Sequence, residues 1–472
     1  MQAFYLIGLL FIAILLIIWA TSKLKLHPFV VLIMASFFVA IGVVIPQSFG
    51  WLLIGDKVIG PIEIDAIIRD GFGDILAYIG IVIVLGTIIG VILEKSGAAI
   101  KMADYTLKTV GPKRPALAMS IIGWIVSIPV FCDSGFVILS SLRKSITRKA
   151  RVSAVTMSVA LATGLYASHT LVPPTSGPIA AAGNLGLEDK LGYVIIIGVF
   201  VSIFAMLAGF YWAKYIGKKV EIKEDIDNQQ AFAKGLNLDE ADWASEHGSL
   251  PSTFMSFAPI LIPILLIAIG SISSLPNKPF GEGILYTLFI FLGKPVNALL
   301  TGFIISLGLL PAFNKETLTD WIGEGVKQAG PIILITAAGG AFGAVIRATP
   351  VAIVLGDVLS SMSLGILVPF FLAAALKTAQ GSSTTAIVTS SAIMASLLAP
   401  LGLASTFGAV LTVMSIGAGA MTVSHANDSY FWVVAEFTGM EVKTAYKTLT
   451  MATLIQGLAT IAVVVVLSLL FL

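Results

Sequence analysis

Charged side chains make up only 11% of the 472 residues, where an ordinary soluble domain carries about 25%. So few cannot clothe a water-soluble fold of this size, and that class is excluded. Cysteine occurs once, at Cys132, which excludes an internal disulfide and any multi-cysteine metal site. With 28 Lys and Arg against 26 Asp and Glu the net charge is +2, so no basic excess points to nucleic acid. There is no G-x-x-x-x-G-K-[ST] run and no second soluble domain to bind nucleotide, which argues against a primary pump. H-E-x-x-H is absent as well, so a zinc membrane protease is not expected. No nucleophile–base pair stands out, and the chain reads as a non-enzyme without cofactor or metal.

What is abundant is apolar. Hydrophobic residues are 57% of the chain, and the mean hydropathy is +0.99. A membrane-spanning helix needs about 20 apolar residues, and long runs occur near 3–20, 28–45, 74–93, 115–142, 152–171, 191–213, 256–274, 284–310, 330–347, 364–376, 384–423 and 450–472. They are continuous, not the short alternating segments of a membrane β-barrel. The run 3–20 lacks a preceding basic residue and a following cleavage pattern, and is read as a first span, not as a signal peptide. The expected class is an all-α polytopic membrane protein.

Between Lys214 and Leu250 five lysines face eight acids without a sustained apolar pattern. This acidic stretch, 214–250, is read as a solvated cytoplasmic linker between a first membrane half, 1–213, and a second, 251–472. Basic loops stay cytoplasmic. Lys95, Lys101, Lys108, Lys113 and Arg114 precede segment 115–142, and Arg143, Lys144, Arg148, Lys149 and Arg151 follow it. Both ends therefore belong on one face, yet 28 residues cannot cross twice at 1.5 Å per residue. The segment is predicted to be a re-entrant hairpin with its tip at 129–135. Downstream, adjacent prolines in 172–178 remove backbone donors and break the next span.

The second half repeats this scheme. Gly80 and its successors match Gly330 and its successors, the first tip matches Thr378–Thr385, and the Pro173-Pro174 break matches Ser424–Ser429. The two breaks lie 43 residues apart in one half (Cys132 to Thr175) and 45 in the other (Ser382 to Asn427). Each half then holds five crossings plus one re-entrant hairpin, and the odd number inverts the second copy. Both termini fall outside the cytoplasm. Inverted repeats with paired broken helices place a substrate site near mid-membrane, where half-helix N-termini attract anions and freed carbonyls attract cations.

Several residues at the breaks carry candidate chemistry. Asp133 sits in an apolar segment, where a charged carboxylate costs about 2.5–3.5 kcal/mol on insertion scales. It is a candidate proton carrier or, in the plainer alternative, the N-cap of the hairpin's second arm. Lys377 could balance an anionic substrate or pair with a carboxylate such as Asp133; alternatively it snorkels to the interface. His425 and Asp428 are further candidates for proton coupling or charge balance, whereas His169 fits a packed polar residue more readily. Ser134, Gly135, Thr175, Ser176, Gln380, Ser382, Ser383, Thr384 and Asn427 are candidate substrate-binding residues, because sugar hydroxyls need several donors and acceptors. Glu94 and Arg347 occupy matching span ends and are read as boundary markers.

The strings IVSIPVFCDSGFVILSSL (125–142), HTLVPPTSGPIAAAGNLG (169–186), KTAQGSSTTAIVTSSA (377–392) and SHANDSYFWVV (424–434) together resemble the gluconate permease family. The resemblance covers nearly the whole chain outside 214–250. It departs at Ser176, where the family usually has another proline. It implies a proton symporter in a bacterial inner membrane for gluconate or a related sugar acid, with D-serine carried by some members. It also implies an elevator-type homodimer in which a transport domain slides against a scaffold, the two tips and two breaks forming the substrate site. Ser, Thr and freed carbonyls could instead serve sodium coupling, and an anion channel is the rival from another class.

Overall fold

The computed structural model describes residues 2–24, 26–52, 63–110, 114–233, 250–273, 281, 283–351, 365–426 and 428–472. Among the described residues every regular element is helical. The first half contains α1 (Gln2–Ser22), α2 (Pro28–Ser48), α3 (Glu63–Lys95), α4 (Ala98–Val110), α5 (Pro115–Val126), α6 (Cys132–Ala150), α7 (Ala154–Leu171), α8 (Ser176–Asn184) and α9 (Leu191–Ile216). A short helix α10 (Lys223–Ala233) precedes α11 (Thr253–Ser273), α12 (Ile284–Gly293), α13 (Pro295–Leu307) and α14 (Ile322–Ala348). The remainder holds α15 (Leu367–Gln380), α16 (Ser383–Met394), α17 (Thr406–Met421), α18 (Ser429–Thr438) and, after two short turns, α19 (Met451–Phe471). Among the described residues six helical stretches are long and apolar enough to cross a membrane, or up to eight if each of two sharply bent pairs is one span.

All four expected backbone interruptions are present. Helix α5 stops at Val126 and α6 starts at Cys132, so the first tip is a short non-helical turn. The Pro173-Pro174 pair separates α7 from α8. Gly381, at a φ of 85° that side-chain-bearing residues rarely adopt, ends α15, and Ser382 caps α16 through a 3.2 Å bond from Thr385 N–H. Residues 422–428 part α17 from α18, and Asp428 caps α18 by accepting from Tyr430 N–H at 3.1 Å.

Helices α3 and α14 form the longest pairing and run antiparallel. Gly71 lies against Gly340 and Ala344, while at the other end Gly325 lies against Ile88 and its carbonyl accepts from Thr87 Oγ1 at 2.9 Å. Helix α5 packs on α7 where Gly164 meets the Ser120 carbonyl, so closely that a Cβ there would clash. The short arms cross between halves: α8 packs on α16, with Asn184 Nδ2 donating to Val388 O at 3.2 Å and Ser391 Oγ at 2.9 Å, and α18 packs on α6. Apolar faces of α1, α2, α9 and α19 remain exposed, as expected of helices bathed in lipid.

The segment read as solvated linker differs from that expectation. Residues 214–216 finish α9, and α10 is docked through its acids. Arg143 of α6 is wholly buried and bidentate with Glu224, at 3.1 and 2.8 Å. Asp225 accepts from Ala154 N–H at 2.6 Å, capping α7, and from Ile222 N–H at 3.1 Å. A helix held by carboxylates carries no apolar period, so the pattern of residues gave no sign of it. Residues 234–249 lie outside the described residues.

Candidate functional site

Each interruption exposes the beginning of a helix, where backbone N–H groups have no intrahelical acceptor and the helix dipole is positive. Three of these beginnings face one cavity of about 270 Å³. Cys132 and Asp133 come from the start of α6, Ser383, Thr384 and Thr385 from α16, and Ser429 and Tyr430 from α18, with Ser382 and Asp428 as the caps. Pro331, Ile332 and Ile335 of α14 close the opposite wall, and Phe131 and His169 complete it. Pro331 sits inside a helix, which frees a carbonyl one turn earlier.

Asp133 is not the N-cap of α6. That position belongs to Phe131, which makes no side-chain cap, and Asp133 stands one residue inside the helix. Its Oδ2 lies 3.4 Å from Ser429 Oγ of α18, and its buried Oδ1 has no hydrogen-bond partner among the described residues. Lys377 does not reach an interface. It is wholly buried, with Nζ 2.5 Å from Asp428 Oδ2, bonded to the Gly381 carbonyl, and 5.7 Å from the Tyr166 ring centre. Asp428 additionally accepts from Ser424 Oγ. One ion pair thus ties the second tip to the second break, and its charges cancel before they reach the cavity. Asp133 is the lining carboxylate left without a cation against it.

The other candidates divide. Ser382, Ser383 and Thr384 line the cavity. Ser134 turns away toward Glu94 of α3, which is partly buried and so is more than a boundary marker. Gly135 packs against Leu165, where a Cβ would come within 2.6 Å of the Leu165 side chain. Thr175 and Ser176 open into a separate small cavity with Gly86, Thr87 and Pro129; Phe131 lines both spaces and stands between them. Thr175 Oγ1 is turned back to the Val172 carbonyl at 2.6 Å. His425 is half-buried, its Nε2 2.9 Å from the Thr378 carbonyl, outside the lining. Asn427 and the side chains of Gln380 and Arg347 lie outside the described residues.

Sequence reasoning passed over the aromatic cluster around Tyr430, which lines the cavity. Tyr166 and Tyr430 stack with ring centres 5.2 Å apart, Phe136 meets Tyr430 edge-on, and Tyr430 OH donates to the Ala162 carbonyl at 2.8 Å. His169, expected to be a satisfied packed residue, instead lines the cavity against Phe131 with Nδ1 unpartnered among the described residues. Its place just before the Pro-Pro break was the available signal.

This arrangement can hold a small solute bearing negative charge and hydroxyls: backbone N–H groups of three helix starts for the anion, and hydroxyls from Ser382, Ser383, Thr384, Thr385 and Ser429 for polar substituents. Comparison with known proteins agrees in kind. The D-serine transporter DsdX of Escherichia coli strain K12 is 30% identical over 463 residues, covering 97% of each chain. A gluconate permease of Pseudomonas aeruginosa is 27% identical over 454 residues, covering 95% of this chain and 94% of the relative. Among solved structures the fold is similar to that of the Alcanivorax borkumensis YdaH transporter, with a TM-score of 0.66 at 12% identity over 94% of this chain and 99% of that one. The GntP family permease pattern matches residues 5–470, and a match over nearly the full length, with a relative of 30% identity beside it, means that the chain belongs to the GntP permease family.

Proposed function

We propose that this permease imports gluconate or a closely related hydroxylated carboxylate together with protons across the bacterial inner membrane. The carrying observation is the meeting of three helix starts, α6, α16 and α18, at one cavity whose nearest lysine is already neutralised by Asp428. A helix start carries roughly half a positive charge, so three of them favour an anion where no free cation is offered among the described residues.

Proton coupling follows from Asp133. Ionised, it would sit at the start of α6 and compete with a substrate carboxylate for the same N–H groups. Neutral, it leaves them open and can donate a hydrogen bond. An anion entering with one proton moves no net charge, whereas the anion alone works against about 2.3 kcal/mol per 100 mV. Ser382, Ser383 and Thr384 would bind the solute, while Lys377 and Asp428 hold the second tip and break in register.

The antiparallel α3–α14 pair, with the crossed packing of α8 on α16 and α18 on α6, supports two inverted repeats. The tips and breaks would then move as one transport domain against a scaffold built around α3 and α14, in a homodimer with both termini outside. The unpartnered Asp133 Oδ1 also favours a second substrate reading. A carboxylate facing the cavity suits an ammonium group, as in D-serine, which the 30% identical relative is named for transporting.

Proteoliposomes containing the purified chain, given labelled gluconate or D-serine under separate pH and sodium gradients, test this. Accumulation of gluconate driven by the pH gradient is expected. Accumulation driven by sodium alone would overturn the proton assignment, D-serine in place of gluconate would reassign the solute, and flux without accumulation would indicate a channel.

A further inference from the structure

A second and larger cavity, about 660 Å³, lies at the basic end of the spans, between the starts of α5 and α7 and the last turns of α9. Its charged lining residues are Arg114, Lys214 and Lys218, with no carboxylate among them. None of the three has an ion-pair partner among the described residues; Lys214 only rests 5.6 Å from the Phe210 ring centre. Asp225 is buried and is spent on accepting from the Ala154 N–H at the start of α7.

Two further features favour a phosphate-bearing group there. Helix α5 opens into the cavity at Pro115, Ala116 and Leu117, and the first-turn N–H groups of Ala116 and Leu117 have no intrahelical acceptor. Ser153, the cap of α7, is also in the lining. The remaining wall is apolar, from Leu117, Val152, Leu207 and Phe210.

The cavity is continuous with a lipid-facing stripe. Along α9, Ile196, Phe200, Phe204 and Tyr211 are each at least 40% exposed, and their spacing of three to four residues, with Leu207 between, puts them on one helix face. The same face ends in Lys214 and Lys218. Helix α9 has 26 residues, or about 39 Å at 1.5 Å per residue, against a hydrocarbon core of about 30 Å. Its last turns therefore stand at headgroup level, with Tyr211 at the boundary where tyrosines concentrate. The positive-inside bias places that end in the cytoplasm.

We propose that this cavity is a binding site for an anionic phospholipid of the surrounding membrane. The phosphodiester lies among Arg114, Lys214, Lys218 and the α5 N–H groups, and an acyl chain follows the Ile196–Tyr211 stripe. Basic pockets between spans on the cytoplasmic side suit such headgroups. The site is separate from the transport cavity and does not depend on which solute the permease carries.

Native mass spectrometry of the detergent-purified chain tests this, with phosphatidylglycerol, phosphatidylcholine and inorganic phosphate as probes. One phosphatidylglycerol per chain is expected to be retained, with phosphatidylcholine retained far less and millimolar phosphate failing to displace the lipid. A Lys or Arg beside an anionic headgroup is worth about fivefold in affinity, so the double variant Lys214→Gln/Lys218→Gln should lose roughly 25-fold. Its melting temperature in lipid-free detergent should match that of the parent, and if it does not fold, the headgroup comparison on the unaltered chain decides alone. Equal retention of both lipids, displacement by phosphate, or undiminished binding by a folded double variant would overturn the proposal. So would a lipid-free dimer that shields the α9 face and retains no phosphatidylglycerol.

Discussion

Lys377 Nζ lies 2.5 Å from Asp428 Oδ2 with both side chains buried, so a residue of α15 is fastened to the cap of α18. Removing one member of such a pair leaves an uncompensated charge in the core, which costs about 3–5 kcal/mol, whereas replacing both can be close to neutral. Lys377→Met and Asp428→Asn should therefore each cause a large loss of folded protein. The double variant should be more stable than the worse single one. Thermal unfolding in detergent reads this, and additive losses would contradict the pairing.

Asp133 makes a different prediction, because it has no cation to strand. Asp133→Asn should fold with nearly unchanged stability and keep exchange of labelled substrate between equal pools. It should lose accumulation driven by a pH gradient. Undiminished accumulation in proteoliposomes would remove Asp133 from coupling.

Packing of α5 on α7 rests on Gly164, where an added Cβ would clash with the Ser120 carbonyl, a backbone atom with little room to yield. Overpacking of this kind costs about 1–3 kcal/mol or more. Gly164→Val should sharply lower the yield of folded protein. Gly323→Ala, where a Cβ meets nothing within 4 Å, should be silent. Size-exclusion profiles of the two variants make the comparison.

The contact between α10 and α6 is also open to test. Glu224→Gln leaves the wholly buried Arg143 without its counter-charge and should destabilise by a few kcal/mol. Glu221→Gln, on an exposed side chain, should not. Proteolysis within 223–233 should accelerate only in the former.

The four interruptions were legible because proline, glycine, serine and aspartate stand out within apolar runs: proline removes a helical hydrogen bond, serine and aspartate compete for one, and glycine admits the left-handed backbone that ends a helix. The partner of Lys377 was not, since Asp428 lies 51 positions away and nothing local selects it over Asp133. Thr175 and Ser176 looked equivalent to the hydroxyls of the second tip. In the fold they face a separate small cavity, and Phe131 lines both that space and the larger one. The docking of α10 was hidden for a related reason: its grip is a carboxylate pair, Glu224 and Asp225, in a stretch where acids read as solvent-facing.

The central claim is that the solute binds where α6, α16 and α18 begin, and the single cysteine gives direct access to it. Cys132, mostly buried, is in the lining of that cavity at the first residue of α6, so a small methanethiosulfonate reagent that reaches it through the cavity reports on this position without background from any other thiol. A solute that the same preparation transports should slow modification of Cys132 in a saturable way, with half-protection at the concentration that half-saturates uptake, while a non-transported acid leaves the rate alone. Modification at the same rate with and without the transported solute would contradict a site at these helix starts.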